Sequence, residues 1–66
     1  MEVIINGETQ ALAEALTVTA LLESRGLAGK RIAVERNGEI VPKSSHADAR
    51  LAAGDRIEIV VAVGGG

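Results

Sequence analysis

Arg56-Ile57-Glu58-Ile59-Val60-Val61-Ala62-Val63 is the longest strand pattern in the chain, and it runs directly into Gly64-Gly65-Gly66. Side chains alternate along a strand, so Ile57, Ile59, Val61 and Val63 share one face while Arg56, Glu58, Val60 and Ala62 share the other. The first set is wholly apolar and is the expected core face. The second begins charged and turns apolar as it nears the glycines.

Working back from this strand, Gly54-Asp55 reads as the turn that leads in from Leu51-Ala52-Ala53. Residues 43–50 are polar and irregular, with room for one short helical turn. Pro42 closes a short strand, Glu39-Ile40-Val41, that belongs at a sheet edge because proline cannot donate to a ladder. Asn37-Gly38 turns that strand back from Arg31–Arg36, and Asn6-Gly7 turns Met1–Ile5 into a return strand, Glu8–Leu12; Asn-Gly is the strongest short hairpin signal.

Between the two hairpins lies a helical pattern with Thr17 as N-cap and Val18, Leu21 and Leu22 spaced i, i+3, i+4. Arg25 suits the carboxyl end of the helix dipole, Gly26 suits the left-handed residue after the last turn, and Leu27 is placed to pack back on Leu22. The order strand, strand, helix, strand, short strand, strand is not the alternation of a parallel α/β fold. It predicts an α+β protein with a mixed sheet of four to five strands and one main helix across one face, the β-grasp arrangement. Residues 1–63 are expected to form the domain and residues 64–66 a flexible glycine tail.

Sixty-six residues make one domain at most, near the lower limit for folding without staples. The chain has no cysteine and a single histidine, His46, which excludes four-ligand zinc and iron–sulfur sites, so no metal site is expected. With no aromatic residue, the 47% hydrophobic content must build its core from Val, Ile, Leu and Ala. A net charge of −2, the lack of a Lys/Arg cluster and the lack of stacking side chains argue against nucleic acid. No apolar run approaches the ~20 residues of a membrane span, and the start lacks the basic region of a signal peptide, so a soluble cytoplasmic protein is expected.

The glycine end has two readings. Glycine has no Cβ, so such a tail threads a narrow channel and reaches roughly 10 Å past the last strand. Its terminal carboxylate, with an ordinary pKa of about 3.3–3.7, is an ionised nucleophile at neutral pH. The alternative is an ordinary frayed terminus. On the strand face that turns apolar, Val60 and Ala62 join Ile4 of the first strand if the two strands are neighbours. That patch beside the tail is either a docking site or a set of isolated surface apolars that need no explanation.

The chain length, Ala33-Val34-Glu35-Arg36-Asn37-Gly38-Glu39-Ile40-Val41-Pro42, Gly54-Asp55-Arg56-Ile57-Glu58-Ile59 and Val63-Gly64-Gly65-Gly66 together resemble the ThiS family, ubiquitin-like β-grasp sulfur carriers of thiamine biosynthesis. The resemblance covers essentially the whole chain, with Ser44-Ser45-His46 standing where many relatives carry a bulky aromatic. It implies that a ThiF-type adenylyltransferase uses ATP and magnesium to adenylate the Gly66 carboxylate. Sulfur from a cysteine desulfurase system then replaces AMP as a thiocarboxylate, and thiazole synthase (ThiG) takes that sulfur for the thiazole phosphate ring. Gly64 and Gly65 are the tail required inside the partners' active sites; Ile4, Val60 and Ala62 are the candidate docking residues. The chain itself binds no cofactor and is a co-substrate rather than an enzyme.

Other readings are a carrier like the small subunit of molybdopterin synthase, a ubiquitin-like modifier joined to lysines, or an interaction module whose glycines are inert. Ser44, Ser45, His46 and Asp48 do not make a hydrolytic triad, since triad members are brought together by the fold and seldom by sequence adjacency. His46 is expected to be a solvated loop residue, and Glu35, Glu39, Asp55 and Glu58 ordinary surface charge. Lys30 and Lys43 are possible conjugation sites that nothing in the sequence singles out.

Overall fold

In the computed structural model, which describes residues 1–62, the elements follow in the order β1 (Glu2–Ile5), β2 (Glu8–Ala11), α1 (Val18–Ser24), β3 (Ile32–Arg36), β4 (Glu39–Ile40), a 3₁₀ turn (Lys43–Ser45) and β5 (Arg56–Val61). The five strands form one sheet in the order β2-β1-β5-β3-β4. β1 and β5 run parallel; the other neighbours are antiparallel, so the sheet is mixed as expected. β4 takes the edge, where Pro42 removes no ladder donor. The expected boundary between residues 1–63 and a tail of residues 64–66 lies outside the described residues.

Local chemistry sets both helix ends. The Ala20 N–H donates to Thr17 Oγ1 at 3.1 Å, the N-cap bond that satisfies a donor with no helical partner. At the other end Leu27 N–H donates to Leu22 O (2.8 Å) and Gly26 N–H to Glu23 O (3.1 Å), with Gly26 at φ +71°: a Schellman stop, which needs a residue that tolerates the left-handed region.

α1 lays Val18, Leu21 and Leu22 on the sheet face that carries Val3, Ile5, Val34, Ile57 and Ile59, with Leu51 completing the core. The register of β5 accounts for that face: Ile5 stands beside Ile57, and Val34 opposite Ile59. The core face is shorter than the sequence suggests. Val61 is on the same side yet 41% exposed, because seven helical residues span only roughly 10 Å and shelter only part of a six-residue strand. Val63, the fourth residue assigned to that face, lies outside the described residues.

Two residues expected at the surface are buried. His46 is 8% exposed, its Nε2 lying 3.1 Å from Val41 O. The cause is the amino end of α1: Val18 N–H donates to Ala49 O and Thr19 N–H to His46 O, which pulls the 43–50 segment onto the helix. Asp55 is also buried, between the Arg36 guanidinium (Nε to Oδ2, 2.8 Å), the Ala52 N–H (2.8 Å) and the Asn37 carboxamide (3.1 Å). Glu39 and Glu58 are exposed as expected, and Glu35 is half-buried.

Burial alone raises the pKa of Asp55, but the Ala52 and Asn37 hydrogen bonds and the Arg36 charge outweigh it, and the net shift is down from 3.8. A carboxylate depressed in the folded state stabilises fully above its unfolded value and loses that contribution as pH falls through the folded value. Asp55→Asn should therefore cost about 1.5–3 kcal/mol at neutral pH, as for other hydrogen bonds to charged groups. The gap to the parent should begin to shrink as pH falls below 3.8 and close only as pH passes the lower folded value, where the parent also loses the charge. Urea denaturation at pH 7 and pH 3 checks this; a gap that does not change with pH would rule out the charge as its cause.

Candidate functional site

β5 is the central strand and the one that hands the chain to its glycines. It is held on both sides, by β1 in parallel and β3 in antiparallel register. It is also held by the two Asn-Gly turns, one on the β1 side and one on the β3 side. Asn6 sits at φ +50° and Asn37 at φ +52°, a region that Asn visits more readily than most residues. Each turns its carboxamide onto β5. Asn6 Oδ1 accepts from Ile59 N–H at 2.7 Å and its Nδ2 donates to Ile59 O at 3.3 Å, which adds a side-chain rung to the β1–β5 ladder after β1 has ended. Asn37 Oδ1 accepts from Arg56 N–H at 2.9 Å and its Nδ2 donates to Asp55 Oδ1. An aspartate at either place would lose the donor, so the turn residue is chosen for its side chain as well as its backbone.

The last described link is Ala62 N–H to Arg31 O, 2.9 Å. Gly64, Gly65 and Gly66, the residues expected to reach a partner's active site and carry the reacting carboxylate, lie outside the described residues. The structure therefore defines the root from which they start.

The candidate docking residues are divided by the register. Ile4, Val60 and Ala62 share the sheet face away from the helix, but Ile4 stands beside Arg56, four residues before Val60. That places it roughly 13 Å along the strand from Val60 and farther still from Ala62. The sheet does not bring Ile4 into a patch beside the tail; β1 ends before β5 has run half its length. Ile4 instead adjoins a polar shallow that includes Glu35, Asn37, Arg56 and Glu58.

Val60 and Ala62 do lie together near the root, and two residues not anticipated from the sequence extend this face away from the root toward β4. Ala33 stands opposite Val60, and Ile40 stands opposite Glu35, one diagonal step from Ala33. Val60 is 58% and Ile40 62% exposed, the two most exposed large apolar side chains described. Alternation along β3 accounts for Ala33, since Val34 is buried and its neighbour must face out. Ile40 had no signal beyond being apolar in an edge strand.

Among the described residues, nothing on this face resembles catalytic machinery. The His46 ring is occupied by Val41 O and, among the described residues, makes no side-chain bond to Ser44, Ser45 or Asp48. Asp55 is neutralised by Arg36 inside a turn.

The ThiS family model matches residues 3–66. The crystal structure of a thiamine biosynthesis protein (ThiS) from Geobacter metallireducens superposes with a TM-score of 0.84 at 32% identity, covering all of both chains. A solution structure of a thiamine biosynthesis protein from the same organism gives 0.81 at 32% identity, covering this whole chain and 88% of the other. Two curated relatives are both named thiazole synthase: one from Paramagnetospirillum magneticum, 48% identical over 66 residues, and one from Magnetococcus marinus, 35% identical over 66. The chain spans a fifth (20%) of the length of each. The five-stranded mixed sheet with one helix, shared with the Geobacter structure, and a family match over residues 3–66 together establish that the chain belongs to the ThiS family.

Proposed function

We propose that this chain is a sulfur carrier that works as a protein co-substrate for thiazole formation, with the Gly66 carboxylate as the group that is activated and loaded. The observation that carries the reading is the placement of the best-anchored strand, β5, immediately before the glycine end in a chain of this family. A rigid root and a side-chain-free end suit delivery of one carboxyl group into an enclosed site on another protein.

The chemistry follows from what a carboxylate lacks. It is a poor acceptor for nucleophiles because its charge repels them and its leaving group would be oxide. A ThiF-type adenylyltransferase would let a Gly66 oxygen attack the α-phosphorus of ATP, with magnesium assisting and pyrophosphate departing. The product acyl-adenylate has AMP as a good leaving group, and sulfur derived from cysteine through a desulfurase displaces it. The resulting thiocarboxylate is a soft anion at neutral pH, ready to pass its sulfur to thiazole synthase. Glycine at 65 and 66 leaves both faces of the reacting carbonyl open. ATP as the driving substrate makes the cytoplasm the working compartment.

Intact mass spectrometry of the untagged chain tests this, after incubation with ATP, magnesium, the adenylyltransferase and a sulfur source. The expected result is a gain of sulfur for one oxygen on the terminal peptide, followed by its loss when thiazole synthase and its small substrates are added. No gain, with an adenylyltransferase proven on another carrier, overturns the reading. A gain that only a molybdopterin-type acceptor discharges would reassign the pathway.

The Val60–Ala62 end of the sheet, with Ala33 and Ile40, is the proposed docking surface for the adenylyltransferase. Val60→Glu puts a charge at its centre on a side chain that is more than half exposed. It should weaken that complex about tenfold or more, as loss of a central interface contact does, and leave the melting temperature within a degree or two. Ile4→Glu, on the same face but at the far end, should weaken it much less. Equal effects from the two, measured by titration calorimetry, would mean that the register has misplaced the contact.

A further inference from the structure

On the helix side of the sheet a groove of about 220 Å³ opens between α1, the loop of residues 27–30 and the Lys43–Ser45 turn. Leu22, Leu27 and Ile32 line it with apolar surface, Lys30 and Lys43 stand at its rim, and His46 contributes the buried ring already held by Val41 O. Among the described residues, no acidic side chain lines it. In a chain of net charge −2, this is an apolar floor with a cationic margin, complementary to a partner segment that pairs an apolar side chain with carboxylates.

Its position gives the groove a second property. Ile32 stands opposite Val61, and Ala62 is bonded to Arg31, so the groove adjoins the root of the glycine end on the face opposite Val60. The two surfaces flank the same root and differ in chemistry: one is a flat apolar patch of the sheet, the other a cationic recess.

We propose that the groove is the docking site for thiazole synthase and takes an acidic segment of that enzyme, with an apolar side chain over Leu22, Leu27 and Ile32 and carboxylates against Lys30 and Lys43. The choice of enzyme rests on the sulfur-carrier reading and on the relatives named thiazole synthase. Each carries a segment like this chain within a polypeptide about five times as long. A carrier segment joined to the rest of such a protein has a persistent neighbour, and a built recess beside the tail root suits one. The flat patch remains for the adenylyltransferase, and each partner then has its own side of the same terminus.

The test is titration of purified thiazole synthase with the full chain and with Lys30→Glu/Lys43→Glu, at low and at moderate salt. Both lysines are exposed, so the double variant keeps its core, which circular dichroism and a melting curve verify. The expected result is binding at least tenfold weaker for the double variant and a salt dependence that is largely lost with the charges; Lys30→Gln/Lys43→Gln should fall between. Affinity for thiazole synthase within twofold of the parent would overturn the groove as its docking site. So would a loss confined to the adenylyltransferase complex, which would move the groove to that enzyme. Failure of the parent chain itself to bind or discharge onto thiazole synthase would instead overturn the sulfur-carrier reading on which the proposal rests.

Discussion

Deletion of Gly66 should leave the fold unchanged and abolish adenylation. The core that makes the fold is built from Val3, Ile5, Val18, Leu21, Leu22, Val34, Leu51, Ile57 and Ile59, and none of these is within five residues of the terminus. The deletion therefore removes no buried contact described in the structure. It does move the carboxylate back by one residue, roughly 3.5 Å along an extended chain. Attack on the α-phosphorus of ATP requires the oxygen within about 3–3.5 Å and in line, and a misplacement of ~1 Å already costs on the order of a hundredfold. A retraction several times larger from a rigid root should take the exchange of ATP and pyrophosphate below detection. Adding one residue after Gly66 should do the same, by converting the reacting carboxylate into an amide and setting the new one too far forward. The measurement is ATP–pyrophosphate exchange with the adenylyltransferase, with the melting temperature as the control. Normal exchange by either variant would show that the terminal carboxylate is not the group activated.

Much of the architecture was legible because it is local. The Thr17 cap, the Gly26 stop and the two Asn-Gly turns are written in neighbouring residues, and each appears where its own chemistry demands. The inward set on β5 was legible for the same reason, up to the point where a short helix ceases to cover it. What was hidden depended on partners far along the chain. Asp55 looks like any turn carboxylate until Arg36, 19 residues earlier, is folded against it. His46 looks solvated until the unpaired N–H groups of α1 draw carbonyls from residues 46 and 49 onto the helix. The site suffered similarly: alternation showed that Ile4, Val60 and Ala62 face one way, but only the parallel stagger fixes how far apart they are. That stagger is set by Ile4 N–H on Asp55 O and Gly54 N–H on Glu2 O, and neither bond has a sequence signature. Both Asn side chains were read as turn formers, and their second role as clamps on β5 needed the third dimension.

Ile57→Ala should bring the domain close to the limit of folding, and with it every function proposed for the tail. Ile57 is 0% exposed and sits where the sheet is most constrained, beside Ile5 in the parallel ladder and opposite Arg36 in the antiparallel one. Truncating a buried isoleucine costs about 2–5 kcal/mol, the lost transfer energy plus the cavity that remains. A core of aliphatic side chains already in contact, with the backbone around position 57 pinned by strands on both sides, is poorly able to collapse into the space, which argues for the upper part of that range. A chain of 66 residues has roughly 3–10 kcal/mol of total stability at ordinary per-residue values. No disulfide reinforces it, since the chain has no cysteine, so the substitution removes a large fraction of the whole. The expected outcome is a melting temperature lower by about 10–40 °C, at the sensitivity usual for domains of this size. Ile57→Val, which keeps most of the volume, should cost only about 0.5–1.5 kcal/mol. Urea denaturation of the three chains gives the comparison directly. The tail of Ile57→Ala is chemically intact, so its adenylation should fall in proportion to the unfolded fraction and recover on cooling into the folded range. If Ile57→Ala lost less than about 1 kcal/mol, well below what a filled core returns, β5 would not be the anchored strand on which the placement of the glycine end depends. Full adenylation of the unfolded chain would count against that anchoring by another route, because it would show that the carboxylate needs no fixed root.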